Sequence, residues 1–600
     1  MRGLLGVTGV ALLAGMFAWT APLAARTYFL ATNGSDANRG TSLSAPLKTF
    51  AAAVRLMEPG DICLVRGGVY HQTLQFRKSG EPGRPIEFAP YHRERVIIDG
   101  ADPVTGWRER RGGIYYAPMA WSLGEGLNQV FVKGRMILEA RYPAPRGENP
   151  FHTRSLEMAV PGKALAGDAI VVHRHLFKPV NFWKGSIVLA NVGYGWNWQC
   201  AHVIGSTPGR LRPGRLRVDH TSRPWFGGIG RGYLIGFGLP ALTGDPSSWV
   251  WEAGKLYLRW EYGKNPASLG VQAKRRAWCV DFRGHSWITV RGFQFFAGAV
   301  RMAGDHDVLT DCRARYLSQF TYFRYGNHPG DGANSGLDGV YLKGDHNVIS
   351  YCELAWSAGS GVVLDGQVNL ITRNVIRDCD YAGLYDASLV ISHGGHDRIL
   401  FNTMFNAGRD IIEISHPDAD RIEYNDLYRP GLLCRDLGVI YTDQTNGRGT
   451  RIEYNWIHDN PAPVPANAGV YLDDYSRDFV VDHNVIWGMP GRGGAGVLIN
   501  NPLLPPHRIF NNTLFFCRPV GADLADPNGP PRGSKILYKH FNNLWLGNHP
   551  GRVLRNFRRN DFQLKPGAPP ADRGKGAYPL AGRDWTAGVD GRRGAPRSGR

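Results

Sequence analysis

Eight cysteines in 600 residues, at 63, 200, 279, 312, 352, 379, 434 and 517, never approach a CxxC spacing, so a clustered-thiol metal site is excluded and single buried thiols are expected. Beyond the first two dozen residues no apolar run reaches the length of about 20 needed to span a bilayer. Acidic residues are in deficit, 51 against 70 Lys and Arg, which leaves a net charge of +19. That field attracts polyanions. Familiar aromatic-basic nucleic-acid motifs are missing, however, and part of the excess sits in the tail from Arg583 to Arg600. The expected partner is therefore a polysaccharide or oligosaccharide, neutral or anionic, with no nucleic acid and no metal site, and the expected state is a monomer.

What is abundant is turn-forming residues: 77 Gly and 39 Pro beside 43% hydrophobic residues describe a chain that folds and turns often. A single core stops growing at about 250–300 residues unless the architecture is an elongated repeat. The N-terminus reads as an export signal: Arg2, an apolar run from Leu4 to Trp19, and small residues from Ala21 to Ala25. Cleavage near Ala25 and a secreted or periplasmic location are expected.

The organising signal is a phrase in which β-formers lead into Asn and then more apolar residues: ITRNVIRDC, ILFNTMFNAG, IEYNDLYRPG, IEYNWIHDN, VDHNVIWGM, IFNNTLFF and HFNNLWLG. The aligned residues are Asn374, Asn402, Asn425, Asn455, Asn484, Asn512 and Asn543, recurring every 23 to 31 residues, the length of one solenoid coil. Asparagine tolerates a left-handed turn, and its amide can bond the amides above and below. Cys312 and Cys352 take the same place in DCRARY and YCELAW. These positions are structural.

A second phrase precedes most of them: GVYLKG at Gly339, GVVLDG at Gly361, GVIYTD at Gly438, GVYLDD at Gly469 and GVLINN at Gly496. Counting from each Gly, positions one and three predict inward side chains, Val340 and Leu342, Val362 and Leu364, Val439 and Tyr441, Val470 and Leu472, Val497 and Ile499. The alternate positions then face out: Tyr341 and Lys343, Val363 and Asp365, Ile440 and Thr442, Tyr471 and Asp473, Leu498 and Asn500. The expected fold is all-β, a right-handed parallel β-helix of the pectate-lyase-like kind. After a signal peptide at 1–25 come a cap and first coils at 26–115, with a capping helix at Thr49–Met57. An inserted β-sandwich-like domain follows at 116–272, then the main β-helix at 273–560 and a tail at 561–600 packing along the helix or left mobile.

FLATNGSDANRGT, NQVFVKGRMILEARYP, DLGVIYTD, IEYNWIHD, GVYLDD and DFQLKPGAPPADRG together resemble the β-helix glycoside hydrolases of family 141 type over nearly the whole chain. The resemblance implies a hydrolase that uses two carboxylates on a glycosidic bond, and it points to Asp436 paired with Asp473 or Asp474. The residues themselves point elsewhere. Asp443 and Asp474 both stand five from their glycines, with Asp473 one earlier, and acids on adjacent coils fall near the separation that hydrolysis requires. Asp436 would lie about 20 Å from the Asp473 level on a straight strand, and only a bend at Leu437 or Gly438 would join them. Asp436, Asp443, Asp473 and Asp474 therefore form one candidate catalytic set, with Glu413, His416, Lys343 and Tyr471 lining the cleft. His458 is read as a turn cap. No cofactor is expected for a hydrolase. The alternative is a polysaccharide lyase with Lys343 or Arg435 as base and calcium as its counter-ion. A second alternative is a noncatalytic carbohydrate-binding protein.

Overall fold

The computed structural model describes residues 25–145, 147–152, 154–160, 169–172, 178–191, 195–209, 214–219, 228–243, 246–261, 263–322, 338–462, 467–491, 493–522, 538–565 and 575–577. The expected signal segment lies outside the described residues except for Ala25, and so does the tail beyond 577.

Short strands of β-branched residues alternate with tight turns, and each turn of chain lays one strand into each of three parallel sheets of 11, 13 and 12 strands. One coil runs Val340–Lys343, Val348–Ser350, Glu353–Ala355, and the next stacks on it in register, Val340 opposite Val362 and Leu342 opposite Leu364. The winding is a parallel β-helix. Its interior is one continuous column: Val340, Val362, Leu389, Ile412, Ile440, Val470 and Val497 follow one another, each at most 1% exposed. The helix Phe50–Leu56, N-capped by the Thr49 hydroxyl, closes the first coils as expected.

The asparagine ladder is present from Asn374 to Asn543. Each side-chain carbonyl accepts both the main-chain N–H and the side-chain amide of the Asn one coil earlier, as at Asn455 N and Nδ2 to Asn484 Oδ1, 2.9 and 3.0 Å. The second amide hydrogen goes to a main-chain carbonyl, Ile422 O for Asn455 at 2.8 Å. Cys352 N donates to Asn374 Oδ1, so the cysteine does occupy a rung. One expectation is corrected. The left-handed residue is the one before each Asn: Arg373, Phe401, Tyr424, Tyr454, His483, Asn511 and Asn542 have φ from 51° to 57°, or 58° at Tyr454. Asn spends its amide on the ladder, and the preceding residue turns the corner.

A second ladder that the sequence reading did not find mixes Asn with Asp at the preceding turn: Asp307, Asn347, Asn369, Asp397 and Asp420, each main-chain N–H bonded to the next side-chain oxygen at 2.7–2.9 Å. Burial pushes Asp307, Asp397 and Asp420 up to about 8, 6 and 7, so their carboxyls are poised to carry a proton.

The insert begins earlier than expected. Ala101–Pro103 pairs with Gln272–Lys274, and Ile114–Pro118 pairs with Lys255–Arg259, so strand pairing assigns 101–274 to it rather than 116–272. It comprises three antiparallel sheets of four, seven and four strands. It leaves and re-enters where the third sheet of one coil connects to the first sheet of the next, so it sits over the same corner as the loops at 380–384 and 431–435. At the other end Phe562 packs on Trp456, Trp487 and Phe515, seating the start of the tail against the coils.

Replacing Asn455 by Ala leaves the Ile422 carbonyl and the Asn425 donors without partners. Each such buried group costs about 1–3 kcal/mol, so a loss of roughly 2–5 kcal/mol is expected in chemical denaturation. An unchanged midpoint would show that the ladder is not what holds the coils.

Candidate functional site

The functional face is the outside of the 11-stranded sheet across the strands Asp410–Ile414, Leu437–Thr442 and Asn467–Leu472. Here the parity drawn from GVIYTD is one residue out. Gly438 pairs with Ala468, not Gly469, and Ile440 pairs with Val470. Ile440 therefore enters the core beside Val439, Thr442 is buried, and Tyr441 emerges on the outer face between Glu413 and Tyr471. The shift decides which acids meet. Thr442 lies opposite Leu472, the last paired residues; beyond them Gln444 N–H bonds Asp474 O, one residue further than an unbroken register would give, so Asp443 stands against both Asp473 and Asp474, whose charges act on it in that order.

The surroundings differentiate the pair. Three donors converge on Asp473: Tyr441 Oη to Oδ2 at 2.8 Å, and the Asp474 N–H and Asn500 Nδ2 to Oδ1 at 2.9 and 3.0 Å. Asp474 Oδ1 accepts from Asn500 and Asn501 at 3.0 and 2.9 Å. Asp443 receives one long bond, from Gln444 Nε2 at 3.4 Å. Burial, then the charges of Asp473 and Asp474, push Asp443 up to about 6. Glu413, 4% exposed with Oε2 unpartnered, is driven well above the carboxylate range by burial. Both Asp443 and Asp473 remain partly open to solvent.

Beneath them lies Arg409, which the sequence reading missed. Its guanidinium carbon sits 3.7 Å from the Tyr385 ring centre and 4.2 Å from that of Tyr441. It pairs with Asp410 and donates to the Asp436 carbonyl at 3.3 Å and, across the domain seam, to the Trp196 carbonyl at 2.9 Å. Tyr385 Oη donates to Tyr441 Oη at 2.7 Å, so the path Tyr385–Tyr441–Asp473 hangs on one buried cation. The sequence signal was an Arg–Asp pair at the start of the strand DIIEI, which also carries Glu413. The insert is fixed nearby by Trp198 N–H to Gly383 O at 2.7 Å and Arg435 N–H to Gly195 O at 2.9 Å.

The remaining candidates separate. Asp436 has φ 54° and precedes the strand Leu437–Thr442, in which the consecutive inward residues Val439 and Ile440 mark a kink; it neighbours Asp410 at the end of the strand away from Asp473. Lys343 is ion-paired to Asp365 at 3.2 Å, four coils from Asp443. His416 stacks on His393 at 4.7 Å in a turn. Tyr471 is only 3% exposed and packs edge-on against Tyr441, which makes it a wall rather than a sugar platform. Tyr475, 47% exposed and next to Asp474, is the open aromatic surface here. His458 bridges Asp426 and Asp459 at 2.9 and 3.0 Å on another face, in keeping with its reading as a cap. The eight thiols are free. Among the described residues no group of three or more His, Cys, Asp or Glu is arranged to hold a metal ion.

Because Asp443 takes up its proton near 6 when folded and near 3.8 when unfolded, the folded state loses stability as pH rises from about 4 to 6 and carries the full penalty above that. Asp443→Asn removes the penalty. It is expected to be more stable than the parent by about 3 kcal/mol at pH 7, with the gap closing below pH 4 in denaturation curves. A gap independent of pH would contradict the assigned environment.

Comparison with known proteins agrees with this architecture. Residues 331–501 match the model of the right handed beta helix region. A 104-residue stretch, 16% of the chain, is 33% identical to pectate lyase L of Dickeya dadantii (strain 3937), and 72 residues are 40% identical to the protein YwoF of Bacillus subtilis (strain 168), covering 12% of this chain and 15% of that one. The match spans about a quarter, 24%, of the pectate lyase. A solved structure titled glycoside hydrolase superposes on 92% of this chain and all of its own, with TM-score 0.63 at 14% identity. The chain thus has the right-handed parallel β-helix fold, with carbohydrate-active enzymes among its neighbours.

Proposed function

We propose that the protein is a secreted glycoside hydrolase of the retaining type, with Asp473 as nucleophile and Asp443 as acid and base. The carrying observation is the register Thr442 opposite Leu472. Strands on neighbouring coils lie about 4.8 Å apart, and retaining hydrolysis places its carboxyls about 5–5.5 Å apart.

Asp473 is held as an acceptor by Tyr441, Asn500 and its own chain, which orients one oxygen and leaves its charge available for attack on the anomeric carbon. Asp443, raised to about 6, still carries a proton in mildly acidic medium and can pass it to the leaving oxygen. Once the leaving group departs, Asp443 takes a proton from water, which displaces Asp473 from the sugar. Tyr475 offers a ring for the sugar face beside the pair. Glu413 and Asp443 feel one buried cation, Arg409, and Asp473 and Asp474 add further carboxyls beside them, which supports an uncharged sugar at the bond cut. This weighs against the lyase reading with Lys343 as base, because Lys343 is ion-paired to Asp365 four coils from Asp443.

Asp473→Asn and Asp443→Asn are each expected to lower kcat on an activated aryl glycoside by about 10²–10⁴-fold while circular dichroism is unchanged. The first sugar product, followed by proton NMR, should keep the anomeric configuration of the substrate. Inversion, or an unsaturated product absorbing in the near ultraviolet, would overturn the assignment. In Asp474→Asn the loss of one neighbouring charge lowers the Asp443 proton affinity, so the alkaline limb of the pH–rate profile moves to lower pH.

A further inference from the structure

The basic charge of the chain is not at this site. A groove of about 680 Å³ lies instead on the outer face of the 12-stranded sheet, near the N-terminal end, and it plays no part in the hydrolysis described above. Its floor is two in-register columns: Val69, Ile97, Gln294, Arg313 and Glu353, and beside them Asp99, Phe296 and Arg315. Five strands at about 4.8 Å give a floor about 19 Å long. The insert supplies the wall through Gly134, at the tip of the hairpin Val130–Val132 and Arg135–Ile137, and through Gln272.

The charges here are unbalanced. Arg313 and Arg315 are exposed, and their side chains have no hydrogen bond or ion pair among the described residues. Arg95, also exposed, bonds Gln294 at 3.1 Å, and Lys133 and Arg135 flank Gly134 at the rim. The two acids lining the groove are already engaged: Glu353 by Arg377 at 2.7 Å, Asp99 by the Ala101 N–H and Gln272 at 2.8 and 2.9 Å. Free guanidinium forks over a flat, open, chain-length floor suit carboxylates repeated along a polymer. Base stacking is not offered, because the Phe296 ring is packed against Phe131 and Tyr316 at 4.7 and 5.6 Å.

We propose that this groove binds a carboxylated polysaccharide, as an anchoring site separate from the acid pair. Asp443 lies five coils further along the axis, on the order of 24 Å, and on another face. The choice of a glycan among polyanions rests on the hydrolase reading, whereas the need for an anion rests on the unpaired arginines alone. An acidic polymer held here would present its uncharged linkages or branches to a site that repels uronates.

Affinity electrophoresis of the full chain through gels containing polygalacturonate, neutral galactan or a DNA duplex tests this, with the parent, Arg313→Ala/Arg315→Ala and Asp473→Asn compared at two salt concentrations. Polygalacturonate should retard the parent and Asp473→Asn alike, at least tenfold more tightly than the double arginine variant, and less as salt rises, while galactan should not retard any of them. The double variant should hydrolyse a small neutral aryl glycoside at the parental rate. Equal retardation of parent and double variant, no retardation by polygalacturonate, or tighter retention by DNA would overturn the proposal. If polygalacturonate binding depends on the arginines but Asp473→Asn leaves hydrolysis intact, the groove stands and the catalytic assignment falls.

Discussion

Everything in the molecule depends on the registry of one coil upon the next. Parallel strands two to seven residues long contribute few hydrogen bonds each, and a slip of one residue would turn apolar side chains outward. The amide columns at two of the three corners prevent the slip. In each rung one Asn oxygen takes two donors from the coil before, so a displaced coil would strand several buried polar groups at once. The corners cost backbone strain at non-glycine residues with positive φ, and the stacked rings of Phe401, Tyr424 and Tyr454, 5.1 Å apart, add contact along the same edge.

The same registry makes chemistry available. Residues 30 apart in the chain become lateral neighbours, and the outer face of a rigid sheet holds them at a fixed spacing. Placing Asp443 beside Asp473 and Asp474 concentrates negative charge, and Arg409 beneath Tyr385 and Tyr441 offsets part of it. Arg409 also bonds the Trp196 carbonyl. The insert is thereby a structural part of the site, supporting from the side what the coils support from below.

Much of this was readable in the chain. The Asn phrases located the coils, the Gly-led phrases located the strands of the functional sheet, and the N-capped helix at Thr49 was read correctly. What escaped notice did so for physical reasons. In GVIYTD a glycine serves as a small residue where its neighbour has alanine, so aligning glycines misplaced Tyr441. Arg409 is invisible to pattern reasoning because a buried cation has no period, and its partners come from three separate segments. Strands 101–118 of the insert were missed because they look like further coil strands until their pairing with Lys255–Arg259 and Gln272–Lys274 is known.

The central claim is that Asp443 stands against Asp473 ahead of Asp474. Cysteines at laterally opposed positions of adjacent strands fall within disulfide range, Cα atoms about 4.4–6.8 Å apart. Mild oxidation of Asp443→Cys/Asp473→Cys, followed by peptide mass spectrometry, should give the 443–473 cross-link in high yield, and Asp443→Cys/Asp474→Cys should give less. A reversed preference would contradict the account, because Asp474 rather than Asp473 would then be the nearer partner of Asp443.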